Sequence, residues 1–320
     1  MILVLAEHAG GAVSDPSLQT IAMARSLASG QPVHALLVGP GGSDAARALG
    51  PHGVVVAHVA EHKAFSSFAP DAWAAAVAGL ADSLNATAVL APGTDRANDV
   101  MARVAARAAL PLATNCITAA PGPPVTVTRQ RWGGSLLEEA RLHSERSLIT
   151  VAPHTVTAEV VAARAPVEVT AFQPEIAPSD LALRVTEHVA KPGGGISLAE
   201  AKVVVSGGRG VGSKEGFDII EELAGLLGGA VGCSRVVTSA GWRPHTDQVG
   251  QTGTKIAPEM YIACGISGAT QHMAGCKGAK RILAINSDSE APIMLSADYA
   301  VIGDLREVVP AISAEVRKLK

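Results

Sequence analysis

The stretch Ser206-Gly207-Gly208-Arg209-Gly210-Val211-Gly212-Ser213-Lys214 sets glycines and an arginine between a valine run and an amphipathic segment. Glycine turns between a strand and a helix let backbone N–H groups approach an anion closely, and the helix dipole favours negative charge there. Two familiar phosphate fingerprints nearly fit, and both fail. A G-x-G-x-x-G pattern from Gly210 needs glycine where Glu215 stands, and a P-loop from Gly207 reaches Gly212-Ser213-Lys214 instead of Gly-Lys-Ser/Thr. The loop therefore reads either as a phosphate cradle or as a tight βα turn. Arg209 favours the anion, because a turn needs no cation.

Four further polar clusters follow. Gly232-Cys233-Ser234-Arg235 is continued by Gln248-Val249-Gly250-Gln251-Thr252-Gly253; then come Gly265-Ile266-Ser267-Gly268-Ala269-Thr270-Gln271-His272, Ala284-Ile285-Asn286-Ser287-Asp288, and Gly303-Asp304. Each alone fits an ordinary capped loop. All of them fall at predicted carboxyl ends of strands, where open α/β sheets bind ligands. Five on one edge suit a long ligand such as a dinucleotide.

The elements that must position them alternate in type. Met1–Ala6, Val33–Val38, Val54–Val59 and Ala88–Ala91 read as strands, with helices predicted over Leu18–Ser29, Asp71–Leu84 and Asp99–Leu110. That alternation predicts βαβ units and a mostly parallel sheet. From Pro111 to Val189 the texture becomes β-branched and proline-punctuated, as strands with longer connections. Lys191-Pro192-Gly193-Gly194-Gly195 is the most linker-like run. The expected organisation is an N-terminal α/β domain over 1–190, a linker over 191–200, and a smaller, doubly wound, flavodoxin-like α/β domain over 201–320. In the latter, strands are predicted at Val203–Val205, Met260–Ala263, Arg281–Ile285 and Tyr299–Ile302. Its helices are predicted at Lys214–Leu227, Ala269–Gly275 and Leu305–Leu319.

Composition narrows the chemistry. The 320 residues are 48% hydrophobic and only 3% aromatic, so the core must be built from Ala, Val, Leu and Ile. A net charge of −3 gives no electrostatic reason to expect nucleic acid or an anionic membrane. No apolar run reaches the roughly 18 residues of a spanning helix, so direct membrane insertion is not expected. The start, Ile2-Leu3-Val4-Leu5-Ala6-Glu7-His8, has no signal-peptide pattern, and a cytoplasmic location is expected. Cys116, Cys233, Cys264 and Cys276 form no C-x-x-C pair, and no metal site is expected. His58-Val59-Ala60-Glu61-His62 matches a zinc-protease pattern, but leaves a strand instead of lying on the helix the pattern needs. His143 and His154 read as solvated or locally hydrogen-bonded. Asp95, in Thr94-Asp95-Arg96, reads as a helix cap. Trp73 and Trp132 read as packing or subunit contacts.

Taken in order, Val205-Ser206-Gly207-Gly208-Arg209-Gly210, Val249-Gly250-Gln251-Thr252-Gly253, Ala257-Pro258-Glu259-Met260-Tyr261-Ile262-Ala263, Gly265-Ile266-Ser267-Gly268-Ala269 with Gln271-His272, and Glu290-Ala291-Pro292-Ile293 closely resemble the C-terminal FAD domain of the electron transfer flavoprotein alpha subunit. The match spans about residues 202–311, and residues 1–190 resemble that family's N-terminal domain. The resemblance implies an electron carrier with no substrate turnover of its own, forming a heterodimer with a beta subunit. It implies one FAD per heterodimer, with AMP possible in the beta subunit, flavin-dependent dehydrogenases as donors, and a membrane-associated quinone oxidoreductase as acceptor.

Carried over by motif position, Arg209 contacts the FAD phosphates. Ser234 lines the flavin site beside Arg235, whose guanidinium sits over the ring. Val249, Gly250, Gln251 and Thr252 wrap the flavin, with the Thr252 hydroxyl toward N5. Ser267, Gly268, Ala269, Thr270 and Gln271 approach the pyrophosphate and ribityl chain, and His272 lies near the O2 edge. Asn286, Asp304 and Leu305 hold the adenosine end. Arg235, Thr252 and His272 then tune the redox potential, since a nearby Arg or protonated His stabilises a negatively charged reduced ring. The chain departs from the family pattern after Arg235, where Val236-Val237-Thr238-Ser239 replaces Ala-Ala-Val-Asp, and where Arg243 and His245 add basic groups. On the residues alone, a regulatory module holding an adenine nucleotide in the same loops remains open. So does a bifurcating member of the same family, which needs a second flavin in the beta subunit.

Overall fold

Residues Ile2 to Leu5 are buried along their whole length and alternate between two cores. Ile2 and Val4 join one, Leu3 and Leu5 the other. Burial on both faces is what a central parallel strand requires, and it explains the continuous Val/Leu/Ile/Ala runs. The computed structural model describes residues 1–134, 136–161, 166–187, 197–199 and 201–319. They separate into two compact units, Met1–His188 and Val189–Lys320. The expected linker at Lys191–Gly195 lies outside the described residues.

The first unit contains β1 (Ile2–Leu5), a short hairpin of β2 (His8–Ala9) and β3 (Ala12–Val13), β4 (Val33–Val38), β5 (Val56–Ala60) and β6 (Ala88–Pro92). They are followed by β7 (Leu112–Ala120), β8 (Val125–Arg131), β9 (Leu136–Leu142), β10 (Ser147–Val151) and β11 (Glu168–Phe172). All but β2 and β3 form one nine-stranded sheet, ordered β11-β5-β4-β1-β6-β10-β7-β8-β9. Its pairings are parallel except at β7–β8 and β8–β9. The antiparallel β7–β8–β9 meander, in which β8 alone runs against the rest of the sheet, accounts for the change of texture after Pro111. Helices α1 (Asp15–Ala28) and α2 (Gly42–Arg47) cover one face, α3 (Pro70–Ser83) and α4 (Asp95–Ala108) the other. On α4 the buried residues Ala97, Val100, Met101 and Val104 recur at helical spacing.

Helix α4 begins four residues before the predicted start because Thr94 caps it, its hydroxyl accepting the Ala97 N–H at 3.1 Å. The cap is thus Thr94 and not Asp95. The same hydroxyl donates to Glu7 Oε1 at 3.0 Å, and burial holds the Glu7 carboxyl above the usual carboxylate range. The H-x-x-E-H match does not form a metal site. His58 is on β5, where its Nε2 is 3.0 Å from His34 Nδ1 and its Nδ1 is 2.9 Å from the Thr170 hydroxyl. No cluster of metal-ligating side chains occurs among the described residues.

The second unit contains β12 (Val203–Gly207), α5 (Asp218–Leu226), β13 (Ala230–Cys233), α6 (Arg235–Ser239), β14 (Met260–Cys264), α7 (Thr270–Cys276), β15 (Ile282–Asn286), β16 (Tyr299–Ile302) and α8 (Leu305–Lys318). Its five strands are all parallel in the order β13-β12-β14-β15-β16. Second-first-third-fourth-fifth is the flavodoxin-like doubly wound order. Period-two alternation again separates two cores, with Val204, Tyr261 and Ala284 on one side and Val205, Ile262 and Ile285 on the other. Helix α5 starts at Asp218 instead of Lys214, because 3₁₀ turns at Arg209–Val211 and Glu215–Phe217 occupy the segment before it. Among the described residues no helix is long and apolar enough to cross a membrane.

Leu90, fully buried at the centre of β6, tests the first core. Leu90→Ala is expected to cost about 2–5 kcal/mol, read as a lowered urea unfolding midpoint.

Candidate functional site

Strand register decides which loops meet. Gly207 pairs with both Cys233 and Cys264, and Cys264 pairs with Ile285. The residues that follow these strand ends therefore emerge side by side at the carboxyl edge. The strand order reverses between β12 and β14, with β13 added on one side of β12 and β14 to β16 on the other, and this is the topological switch point where such sheets leave a crevice. A cleft of about 460 Å³ opens there. On its wall are Arg209, Ser234, Arg235, Val249, Gly250, Gln251, Thr252, Ser267, Ala269, Gln271, His272 and Asn286. Gly268, Thr270, Asp304 and Leu305 are not on the wall. Gly268 (φ +83°) is pressed against Ile293, whose N would be 2.4 Å from an added Cβ. The Asp304 carboxylate caps α8 by accepting the Arg306 N–H, and Leu305 is buried in the core below. Thr270 opens α7.

The glycine loop resolves as a tight turn. Its glycine amides are engaged: Gly208 N–H donates to Cys264 O at 2.8 Å, Gly210 N–H to Gly265 O at 3.1 Å, and Val211 and Gly212 to Gly208 and Arg209. The glycines are required by close approach. A Cβ on Gly207 would lie 2.6 Å from the Phe217 ring, and one on Gly208 2.2 Å from Gly265 O. What the turn presents to the cleft is Arg209.

The open donors lie one loop further on. Among the described residues, none of the backbone N–H groups of Ser267, Gly268, Ala269, Thr270 and Gln271 donates to a backbone carbonyl. Arg209 and Arg235 are both exposed and on the wall, and neither forms an ion pair among the described residues. The basic group added at Arg243 behaves differently. It is bound to the Glu221 and Asp247 carboxylates and lies over the Phe217 ring, so its charge is spent on tying the domain together.

Two wall groups are held from behind. Buried Gln248 donates through Nε2 to Thr252 Oγ1 at 2.9 Å, and its Oε1 lies 2.7 Å from the Thr238 hydroxyl, whose single hydrogen it shares with the Arg235 carbonyl at 2.9 Å. Thr252, already an acceptor, keeps its own O–H to donate. His272 Nε2 is 2.6 Å from the hydroxyl of Tyr261, which is fully buried. Burial drives the His272 pKa down to about 4, so at neutral pH the ring is uncharged. The protonated histidine expected from sequence is therefore corrected to a neutral one. Asn286 braces loops, donating to Ile266 O at 3.0 Å and accepting the Asp288 N–H at 3.1 Å.

Residues 197–277 match the family model described as the electron transfer flavoprotein FAD-binding domain, and residues 2–176 match the electron transfer flavoprotein domain. Over 321 residues, covering 100% of this chain and 99% of the relative, the chain is 38% identical to the electron transfer flavoprotein subunit alpha of Mycobacterium tuberculosis. It belongs to the electron transfer flavoprotein alpha-subunit family. It is also 34% identical to the alpha subunits of Thermoanaerobacterium thermosaccharolyticum, with 100% of this chain and 98% of the relative covered, and of Bacillus subtilis, with 99% and 98% covered. An alpha subunit implies a beta-subunit partner.

The donor set of the cleft fits FAD: open amides and two cations without an ion-pair partner among the described residues, a hydroxyl proton, and a buried ring nitrogen, His272 Nδ1, without a well-formed hydrogen bond. The sequence places Gln248 in a polar cluster and Tyr261 in a family motif but gives neither a role, because a glutamine next to a flavin loop and a tyrosine inside a strand look like scaffold until their partners are known. Gly210, Val236, Gly265, Ile266, Asp288 and Ala291 also line the wall.

Gly275 of α7 seats the Gly250 loop, since a Cβ there would be 2.3 Å from Gly250 N. Gly275→Ala is expected to destabilise by about 1–3 kcal/mol in urea unfolding. Gly225→Ala, in open space on α5, should instead stabilise by about 1 kcal/mol. A pH effect also follows. The unfolded His272 ring takes a proton below pH 6.5, while the folded ring stays neutral until about pH 4. Stability is therefore lost as pH falls through that window. His272→Gln should flatten the dependence of the unfolding midpoint between pH 7 and pH 5.

Proposed function

We propose that this chain is the FAD-holding subunit of a heterodimeric electron carrier, loaded by flavin-dependent dehydrogenases and discharged to a membrane-associated quinone oxidoreductase. The observation that supports this is the pairing of open amides at Ser267–Gln271 with the unpaired cations Arg209 and Arg235, at a switch-point cleft inside the matched FAD-binding segment. When bound, FAD supplies one- and two-electron redox chemistry.

The chain's residues then bind and tune. Arg209 and the Ser267–Gln271 amides take the diphosphate charge, since N–H donors and a guanidinium desolvate less strongly against an anion than alone. Arg235, beside Ser234, supplies positive charge where electron density accumulates on reduction. Thr252, held by Gln248, offers a hydroxyl proton to the ring nitrogen that changes protonation, and His272 offers a neutral N–H to a ring carbonyl. Val249, Gly250 and Gln251 form the apolar and backbone wall around the ring, while Asn286 keeps the Ile266 loop in place for the adenosine end.

Co-expression with the beta partner should give a yellow heterodimer with a flavin spectrum. A colourless one that refuses added FAD, or one that takes ATP or AMP in its place, overturns the reading in favour of a nucleotide-binding module. Arg235→Ala should lower the flavin midpoint potential by about 40 mV per electron, equivalent to roughly 1 kcal/mol of solvent-screened attraction. An unchanged redox titration removes the role given to Arg235.

A further inference from the structure

His272 stands in the first turn of α7 on the cleft wall, and behind it Tyr261 of β14 is wholly buried. Their 2.6 Å contact between the phenol oxygen and Nε2 needs one hydrogen, and the surroundings decide which atom carries it. The Val249 backbone carbonyl lies by the ring and can only accept, and with Nε2 taken by Tyr261 it is left to Nδ1. In a neutral ring the hydrogen therefore sits on Nδ1, and Nε2 is a bare acceptor for the Tyr261 O–H. Burial supports both assignments, because it keeps the imidazole uncharged and the phenol protonated. The approach of Nδ1 to the Val249 carbonyl falls short of a well-formed hydrogen bond, so a buried N–H is left needing an acceptor.

We propose that Tyr261 is a positioning residue that locks His272 as the neutral, Nδ1-protonated tautomer, so that this wall of the cleft meets a ligand carbonyl with a hydrogen-bond donor instead of a cation or a lone pair. Only the identity of the ligand rests on the FAD reading; the tautomer is a property of the Tyr261–His272 pair. The opposite tautomer would donate from Nε2 to the phenol and leave a lone pair at Nδ1 facing the Val249 carbonyl and any ligand oxygen, which repels both. A charged ring would satisfy both partners, but at the desolvation cost of a buried cation.

Ring-¹⁵N-histidine labelling of the full chain in the heterodimer, assigned with His272→Gln, reads the tautomer directly. The expected result at pH 7 is an Nδ1 signal of the protonated type and an Nε2 signal of the bare type. In Tyr261→Phe the two signals should move toward each other as Nε2 gains hydrogen. A wild-type ring protonated at Nε2, or at both nitrogens, overturns the proposal. So does an unchanged pair of signals in a Tyr261→Phe chain that keeps the parent circular dichroism. Failure of the FAD reading would show separately, as no flavin uptake by either chain with the ring signals still as expected.

Discussion

At the carboxyl edge of the C-terminal sheet two turns are pressed backbone to backbone, and the cleft is organised around that contact. Gly210 Cα would be 2.8 Å from a Cβ on Gly265, and Gly208 and Gly210 both donate N–H bonds into the Cys264-Gly265 carbonyls. Parallel strands about 4.8 Å apart force their connecting turns into this proximity. Side chains on either turn would push them apart and close or tilt the crevice. The consequence is a division of labour. The first loop gives up its amides to hold the second, and the second keeps its own amides open.

Charge follows the same division. Most guanidinium groups that brace this molecule are satisfied: Arg103 by Asp71 and Asp99, Arg146 by Asp82, Arg243 by Glu221 and Asp247. Arg209 and Arg235 on the cleft wall have no such partners among the described residues.

Behind the wall, burial turns potential charges into directed donors. His272 is kept neutral by desolvation, and Gln248 is fixed between two hydroxyls, so that Thr252 has a proton to give. Under the proposed flavin reading, tuning would come from one exposed cation and from oriented neutral groups. That arrangement suits a carrier, which must stabilise charge without moving atoms of a substrate.

Local pattern alone specified a great deal. Period-two alternation through Ile2–Leu5 and Val203–Gly207 announced sheets buried on both faces, because such apolar runs have no stable exposed arrangement. The order of the polar clusters announced one ligand edge, because every βα turn of a parallel sheet must end on the same side. Helix starts were less legible: Thr94 and Asp95 are both good caps, and only the reach of Thr94 toward Glu7 across the sheet selects between them. The role of Ser206–Lys214 was undecidable, since glycines needed for an anion and glycines needed for a neighbouring backbone have the same sequence. Tertiary structure decided it by bringing Gly265 and Phe217, far apart in the chain, against that turn. The same holds for Arg243 and His272. Their chemical types are read from the chain, but charge state and availability depend on partners such as Glu221 and Tyr261 that only folding supplies.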